Sequence, residues 1–525
     1  MAFMQTNGFT VTGSQADRTL LRVSGAVADI ERTFHLNMLL YPHPSELRTF
    51  YAPDVEPSLD LEVPVLGISG LNNTILPTPG GHSGTPLDQS AGVSPGAGSG
   101  PGGAFWGNDY RAAYAPGVTL TGAGQAIGLL ELDGYYTNDI AAYERSAGLP
   151  NVPIRRVLLD GASGTPDSES DWVGEVSLDM EMAISMAPGL SELIVYEAPN
   201  CCYYWVDILK QMQQDNAAKQ LSCSWLFDYD DPNAEPIYKE FAMQGQSFLQ
   251  CSGDYLAFYN GVSQWTDDTN VTLVGGTMLT VTGQGGPWAS ERAWNNGDGT
   301  HGSGGGISSS YMGGFSIPSW QEGISMATNG GSTTERNVPD VAMVAYDGWV
   351  IWNNGSAGWW WGTSIAAPLW AGFTALVNQQ AAAHGQLPVG FLNPAVYAIG
   401  KGPWYASCFH DITNGNNTNT HSSGLFEAVA GYDLCTGWGT PTGSNLINVL
   451  SLAVPITMEV SQTSGQVTVR WNAIPGQRYQ LQYSTNLEGG NWQTLASLTA
   501  TNSPVTQTDS SHTNALRFYR AVLTP

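Results

Sequence analysis

Charge is scarce in this chain. Only 12% of its 525 residues are charged, and the scarcity is one-sided: 18 Lys and Arg stand against 45 Asp and Glu, a formal net charge of −27. So little basic surface excludes nucleic acid and anionic membranes as partners. At neutral pH such a surface repels itself. At about pH 3–4 many carboxyls take up protons and the charge shrinks, so an acidic habitat is a natural reading, with an ordinary acidic secreted protein as the alternative on charge alone. Cysteine is scarce too, six in all, with Cys201 and Cys202 adjacent and none at zinc-finger spacing. That is too few for a disulfide scaffold. Cys408 and Cys435 flank one loop region and could pair, although sequence leaves connectivity open. Long apolar runs are missing, which predicts no transmembrane span. The first residues lack a basic n-region and an apolar h-region, so no signal peptide is read. Either a leader has been trimmed or the true start lies upstream.

Hydrophobic residues make up 42% of the chain, enough for globular folding, and the length predicts roughly two to four domains. Four zones follow. Residues 1–75 hold strand-like stretches (9–12, 18–23) and a helix candidate at 27–34. Residues 76–104 form a linker dense in Gly, Pro and Ser, expected to be mobile and cleavable because it cannot bury apolar area. Residues 105–453 alternate apolar runs at 126–132, 193–196, 221–225 and 247–251 with helical patterns at 177–186, 205–216 and 364–384. That alternation predicts an α/β fold with a doubly wound parallel sheet. Residues 456–525 switch to period-two patterns at 466–471, 479–483 and 518–522, divided by Pro475-Gly476 and Gly489-Gly490. They predict a small all-β sandwich resembling a fibronectin-type module.

Four positions carry chemistry. Ser364, in WGTSIAAP, precedes an amphipathic helix, and free N–H groups at a helix N-terminus stabilise an oxyanion. Pro368 is expected in that helix's first turn, where a missing N–H costs little. Glu175 and Asp179 lie four apart, so on a helix they share one face. Like charges that close cannot both ionise cheaply, and a proton-sharing pair is a general base suited to acid. Asp254 follows an apolar strand and a glycine, placing it near a carboxyl edge of the sheet, where α/β proteins build sites. Protonated, it would donate to a developing oxyanion. The plain alternatives are a helix-capping serine, a solvated acidic face and a turn aspartate. Glu181 is expected to face solvent. No histidine has a suitable context. His301 sits among glycines that oppose a helix, His384 ends a helix, His35, His43 and His82 precede the large domain, His410 and His421 follow the serine, and His512 lies in the last module.

GTSIAAP resembles the serine segment of subtilisin-type peptidases. Together with AIGLLELDG, GEVSLDMEMAISMAPG, LSCSWLFD, PSWQE, VPDVA and LNPAVY, it makes most of residues 18–453 resemble the sedolisin family of serine-carboxyl peptidases, especially its kumamolisin-like members. The resemblance implies a subtilisin-like fold. It implies Ser364 as nucleophile, Glu175 as general base, Asp179 as its orienter and Asp254 as the oxyanion acid. Glu131 and Trp225 would extend the hydrogen-bonded carboxyl chain. It also implies a Ca²⁺ site formed by Asp411, Asp433 and the carbonyls of Ile412, Val429 and Gly431, a donor set that suits a hard cation. Residues 18–75 resemble the second half of the family's prodomain, so the N-terminal zone is read as an α+β remnant. Two departures stand out. The family usually continues from the equivalent of Asp254 with a small residue and Gly, where this chain has Tyr255-Leu256. It also has a small residue before GTS, where this chain has Trp361.

The expected activity is that of an acid endopeptidase, secreted and monomeric, acting on proteins or peptides. Its linker is expected to be cut by Ser364 itself, and its C-terminal module to bind a polymer or cell surface. The alternatives are a histidine-dependent subtilisin-type peptidase and an inert peptidase-like binding protein.

Overall fold

Runs of Ile, Leu and Val such as 193–195 bury side chains on both faces, as strands of a parallel sheet covered by helices must. The computed structural model gathers eight strands into one sheet: β1 (Ala126–Glu131), β2 (Ile154–Leu158), β3 (Glu192–Glu197), β4 (Gln220–Cys223), β5 (Ser247–Cys251), β6 (Thr272–Val281), β7 (Trp288–Ala293) and β8 (Val341–Val344). Their order is β7-β6-β5-β4-β1-β3-β2, with β8 also on β6. Every pairing is parallel except β6 with β7. From β1 the chain runs to the edge strand β2, comes back to β3 between the two, and then crosses to β4 on the other side of β1. That reversal opens a crevice at the carboxyl ends of β1 and β4, where open α/β sheets place their ligands.

The described residues are all but 15–19, 62–64, 66, 85–96, 167–169, 202, 228–230, 232, 259–266, 309–313, 421–424, 453–457, 464–465, 472, 474–477, 486–490, 502–503, 512–515 and 525. The boundary near 453–456, the turns at Pro475-Gly476 and Gly489-Gly490, His421, His512, Arg18 and the middle of the linker therefore lie outside them.

Two helices cover the crevice from one side: α1 (Ser170–Met186) and α2 (Thr363–Ala383). α1 begins well before the apolar pattern at 177–186, which places Glu175 and Asp179 both inside it. α2, expected to be amphipathic, is buried nearly all round from Thr363 to Asn378, because apolar residues fill most positions on every face of that stretch. The two helices approach closely at Gly372, where a Cβ would lie 2.6 Å from Met186 Cβ.

The N-terminal region packs Phe9, Phe34 and Leu36 into a small core, and its helix Val27–Phe34 falls where the pattern puts it. Arg22 ties it to the large unit through Asp160 (2.9 Å) and Asp207 (2.8 Å). At the other end of the chain, two three-stranded sheets enclose Val467, Val469, Trp471, Tyr479 and Leu481. Strand Gln466–Trp471 alternates buried and less buried positions along its length.

The linker departs from expectation. Thr78–Pro79 pairs antiparallel with Trp225–Leu226, and His82–Ser83 pairs with strand Ser356–Trp361. The expectation rested on side-chain burial, whereas here the main chain is held by hydrogen bonds to two strand edges. The pairing that the sequence left open does not form: Cys408 and Cys435 are buried free thiols. Among the described residues no helix is long and apolar enough to cross a membrane.

Candidate active site

The crevice collects the sequence-selected residues from five places. Glu131 ends β1. Trp225 follows β4. Asp254 follows β5 after Gly253, whose φ of 95° makes the turn. Glu175 and Asp179 come from α1, and Ser364 is the second residue of α2. All six side chains are fully buried.

A carboxyl chain runs through the crevice. Trp225 Nε1 donates to Glu131 Oε2 (2.9 Å) and Ser224 Oγ donates to Asp179 Oδ1 (2.6 Å). Burial pushes both carboxyls well above the usual range. The Glu175 charge adds to this at both, the Glu197 charge adds at Glu131, and the Glu131 charge adds at Asp179. No Lys or Arg is among the groups that shift them. The group therefore holds protons rather than full charge.

Asp254 is also pushed well above its ordinary value by burial, against two hydrogen bonds that favour ionisation. Both bonds fall on Oδ1, from Thr363 N–H (2.8 Å) and Thr363 Oγ1 (2.7 Å). Oδ2 is left for the proton. Gly362 makes room for it: φ is 145°, and a Cβ there would lie 2.5 Å from Asp254 Oδ2. Among the described residues Ser364 Oγ makes no hydrogen bond, to a histidine or to any other group.

The crevice is filled by the chain itself. Gly80 N–H donates to Ser224 O (3.0 Å), and Gly81 N–H donates to Glu175 Oε2 (2.6 Å). A Cβ on Gly80 would lie 2.7 Å from Ser364 Oγ, and one on Gly81 would lie 2.6 Å from Glu175 Oε2. The Gly80 carbonyl oxygen is 3.0 Å from the point where a Gly362 Cβ would stand, the same point that Asp254 Oδ2 approaches. The Gly80–Gly81 peptide bond thus lies with a hydroxyl beneath it, a carboxylate on its nitrogen side and a carboxylic acid near its carbonyl.

Two expectations change. Glu181 is buried on α1, where it accepts from Ile351 N–H (3.1 Å), and burial raises its pKa well above the usual range. Its apolar neighbours leave that helix no wet face. Pro368 lies beyond the first turn of α2, because the helix starts at Thr363. Its missing N–H is the one that would have bonded the Ser364 carbonyl. His301 precedes a glycine-rich segment that folds as strand Gly302–Ile307. Sequence reasoning passed over Ser224, Thr363 and the Gly80-Gly81 strap. The Ser-x-Ser-Trp and Gly-Thr-Ser strings carried the first two, whereas nothing local marks the strap. Leu256 stands where the family usually has Gly and keeps the backbone that glycine favours, with φ 65°. Such a residue stores about 1–2 kcal/mol of strain.

The expected cation site is a loop pair. Asp411 accepts from Gly431 N–H (3.1 Å), and Asp433 accepts from the N–H groups of Val429 (3.2 Å), Cys435 and Thr436 (2.8 Å each). Both carboxyls act on Tyr405. Asp433 is fully buried, which pushes its pKa up to about 7 with no cationic side chain to offset it. Among the described residues no group of three or more His, Cys, Asp or Glu could hold a metal ion. A cation here would have to draw on the two carboxylates and on backbone carbonyls, the donor types that a hard cation takes.

The buried carboxyls carry a stability consequence. Burial raises Asp268 to about 6, Asp207 to about 7 and Glu197 to about 8, in the same direction as Glu131, Asp179 and Asp254. A carboxyl with a raised folded pKa binds its proton more tightly in the native state. Its contribution is full below about pH 4 and is lost as pH rises through the folded value. Half-buried His410, pushed down to about 4, opposes this as a single group. The melting temperature is expected to fall between about pH 4 and 8. Calorimetry of Ser364→Ala, which is expected to stay uncut in acid, checks it across that range, and a rise toward pH 8 would contradict it.

No family model matches the chain. It is 28% identical over 473 residues to kumamolisin of Bacillus sp. (strain MN-32), covering 85% of this chain and 82% of that protein. It is 27% identical over 483 residues to sedolisin of Pseudomonas sp. (strain 101), covering 87% and 78%. Among solved structures, Pseudomonas sedolisin complexed with two molecules of pseudo-iodotyrostatin superposes with a TM-score of 0.56 at 26% identity. That match covers 66% of this chain and 98% of that one.

Proposed function

This chain belongs to the sedolisin family of serine-carboxyl peptidases, and from that premise we propose that it is an acid-active endopeptidase working through a Ser364 acyl-enzyme. Glu175 takes the Ser364 hydroxyl proton as Oγ attacks the carbonyl carbon. Protonated Asp254 donates to the oxygen on which charge develops. Glu175 then returns the proton to the departing amine, and water releases the acyl group by the reverse path. Asp179, Ser224, Glu131 and Trp225 hold Glu175 in a proton-sharing chain. The observation that carries this reading is the Gly80–Gly81 bond, whose leaving nitrogen already donates to Glu175 Oε2 at 2.6 Å. The strap runs through the crevice on both sides of that bond, as an internal segment of a substrate would. This supports endopeptidase action over removal of short N-terminal peptides. An acidic extracellular setting suits this chemistry and the net charge of −27.

The strap also supplies the test. On acidification the chain is expected to cut itself at Gly80–Gly81, giving a large fragment that begins at Gly81. Mass spectrometry at about pH 3–4 reads the new terminus in the wild type, while pure, dilute Ser364→Ala stays intact. Equal processing of the two, or an uncut wild type, rejects the reading.

We further propose that Asp411, Asp433 and the carbonyls of Ile412, Val429 and Gly431 hold Ca²⁺. Bound only by the folded state, the ion would stabilise by about 2.7 kcal/mol at a hundredfold excess over Kd. Chelation is expected to lower Tm by several degrees. Asp411→Asn, which keeps the size of the side chain, is expected to remove that response. A wild-type Tm that ignores chelator and added Ca²⁺ alike rejects the site.

A further inference from the structure

His82 is the second residue after the Gly80–Gly81 bond, and its surroundings are built of aromatic rings. Its imidazole stacks on Trp361 with centroids 4.4 Å apart and planes 26° apart. Tyr255 meets it edge-on at 6.1 Å and His301 at 5.5 Å. The three rings that surround it are themselves anchored. Trp361 packs against Trp294 (5.8 Å), which is fully buried and donates its Nε1 to Asn296. His301 Nδ1 is held by Asp298 (2.7 Å), whose other oxygen accepts the N–H groups of Thr300 and His301. Tyr255 lies beside Gly302 across a parallel strand pair, which brings it next to His301, the residue just before that strand. The backbone of His82 pairs with that of Trp361, which fixes the depth at which the ring enters.

We infer that Trp361, Tyr255 and His301 form a subsite on the leaving-group side of the cleft that selects an aromatic side chain two residues after the scissile bond. The inference rests on the catalytic reading above, which identifies Gly80–Gly81 as the scissile bond. Trp361 and Tyr255 are the positions where this chain replaces the family's small residues, so the subsite belongs to this chain. The chemistry favours a planar ring over an aliphatic chain. One flat face covers the indole, and ring edges meet the other rings, the two arrangements that aromatic pairs prefer. A small residue leaves the box empty, and a lysine places its charged end among rings already lined by the imidazole of His301. In the uncut chain His82 occupies the site. Cleavage releases it with the new N-terminus and opens the box to substrate.

The test uses acid-activated full-length enzyme and internally quenched peptides that differ only in the residue two positions after the cut, Phe, Ala or Lys, with each cut site read by mass spectrometry. Phe is expected to exceed Ala in kcat/KM by about 3–10-fold, the range of one good aromatic pair. Trp361→Ala is expected to erase that ratio and Trp361→Phe to keep most of it. Tyr255→Ala, at a half-exposed position, is expected to lower it. A merely structural role for Trp361 would slow all the peptides alike and leave the ratio unchanged. Equal rates for the three wild-type cleavages, a preference for Ala or Lys, or a ratio untouched by Trp361→Ala each overturn the subsite while leaving the catalytic reading intact. A wild type that cuts neither the peptides nor its own strap overturns both.

Discussion

Asp254→Ala is expected to lower turnover by about 10²–10³ or more, the usual cost of losing one pre-aimed oxyanion donor. Substrate binding should change less, because Asp254 faces the carbonyl oxygen and the strap's backbone is held by Ser224 and Glu175 instead. Asp254→Asn separates the proton from the geometry. Asparagine retains an acceptor for Thr363 and offers an N–H donor that needs no low pH. It is expected to keep more activity than alanine and to lose less of it as pH rises. In the wild type, activity falls as pH rises through the Asp254 pKa, which burial holds well above the ordinary value. Steady-state kcat and KM for the three forms across pH check this. Full activity of mature wild type at about pH 8, or equal loss in Asn and Ala at every pH, contradicts the oxyanion role.

The second large effect is at Glu175. Glu175→Gln preserves the shape and can still accept from Gly81 N–H, but it cannot take the Ser364 proton. The expected loss in kcat is about 10²–10⁴, with KM nearly unchanged. The low-pH limb of the wild-type profile belongs to the same group. Once the Glu131–Glu175–Asp179 cluster gains its last proton, Ser364 has no base. The two limbs of the resulting bell are therefore apparent values of a coupled system. A histidine-dependent peptidase would tolerate Glu175→Gln and work at neutral pH. Among the described residues His82 lies beside this chemistry, with Nε2 3.8 Å from Asp254 Oδ2, but it leaves with the new N-terminus once the strap is cut. Wild-type rates in Glu175→Gln at the acid optimum reject the carboxyl mechanism.

The chain's own pattern determined a good deal. Continuous apolar runs between helical periods placed β1, β3 and β5 and predicted a parallel sheet, because a strand covered on both faces has no polar side to show. The four-residue spacing of Glu175 and Asp179, the apolar stretch around them and the shortage of Lys and Arg implied a buried, proton-sharing pair. Gly362-Thr363-Ser364 before an apolar helix implied an activated hydroxyl. These are local signals, and they needed no neighbours to be read.

Tertiary structure decided what depended on approach between distant segments. Glu181 lies on the same helix as the pair and reads as an ordinary acidic position until strand Gly348–Trp352 brings the Ile351 amide to it. Cys408 and Cys435 are near in sequence terms yet do not pair. The strap is the clearest case. Its glycines and prolines signal looseness, because composition reports only what side chains can bury. Its order comes from main-chain hydrogen bonds to Ser224 and to strand Ser356–Trp361, and from clearances of under 3 Å that only glycine tolerates at positions 80 and 81. Residue types alone encode neither, since a hydrogen bond to a distant backbone depends on where the fold carries that backbone.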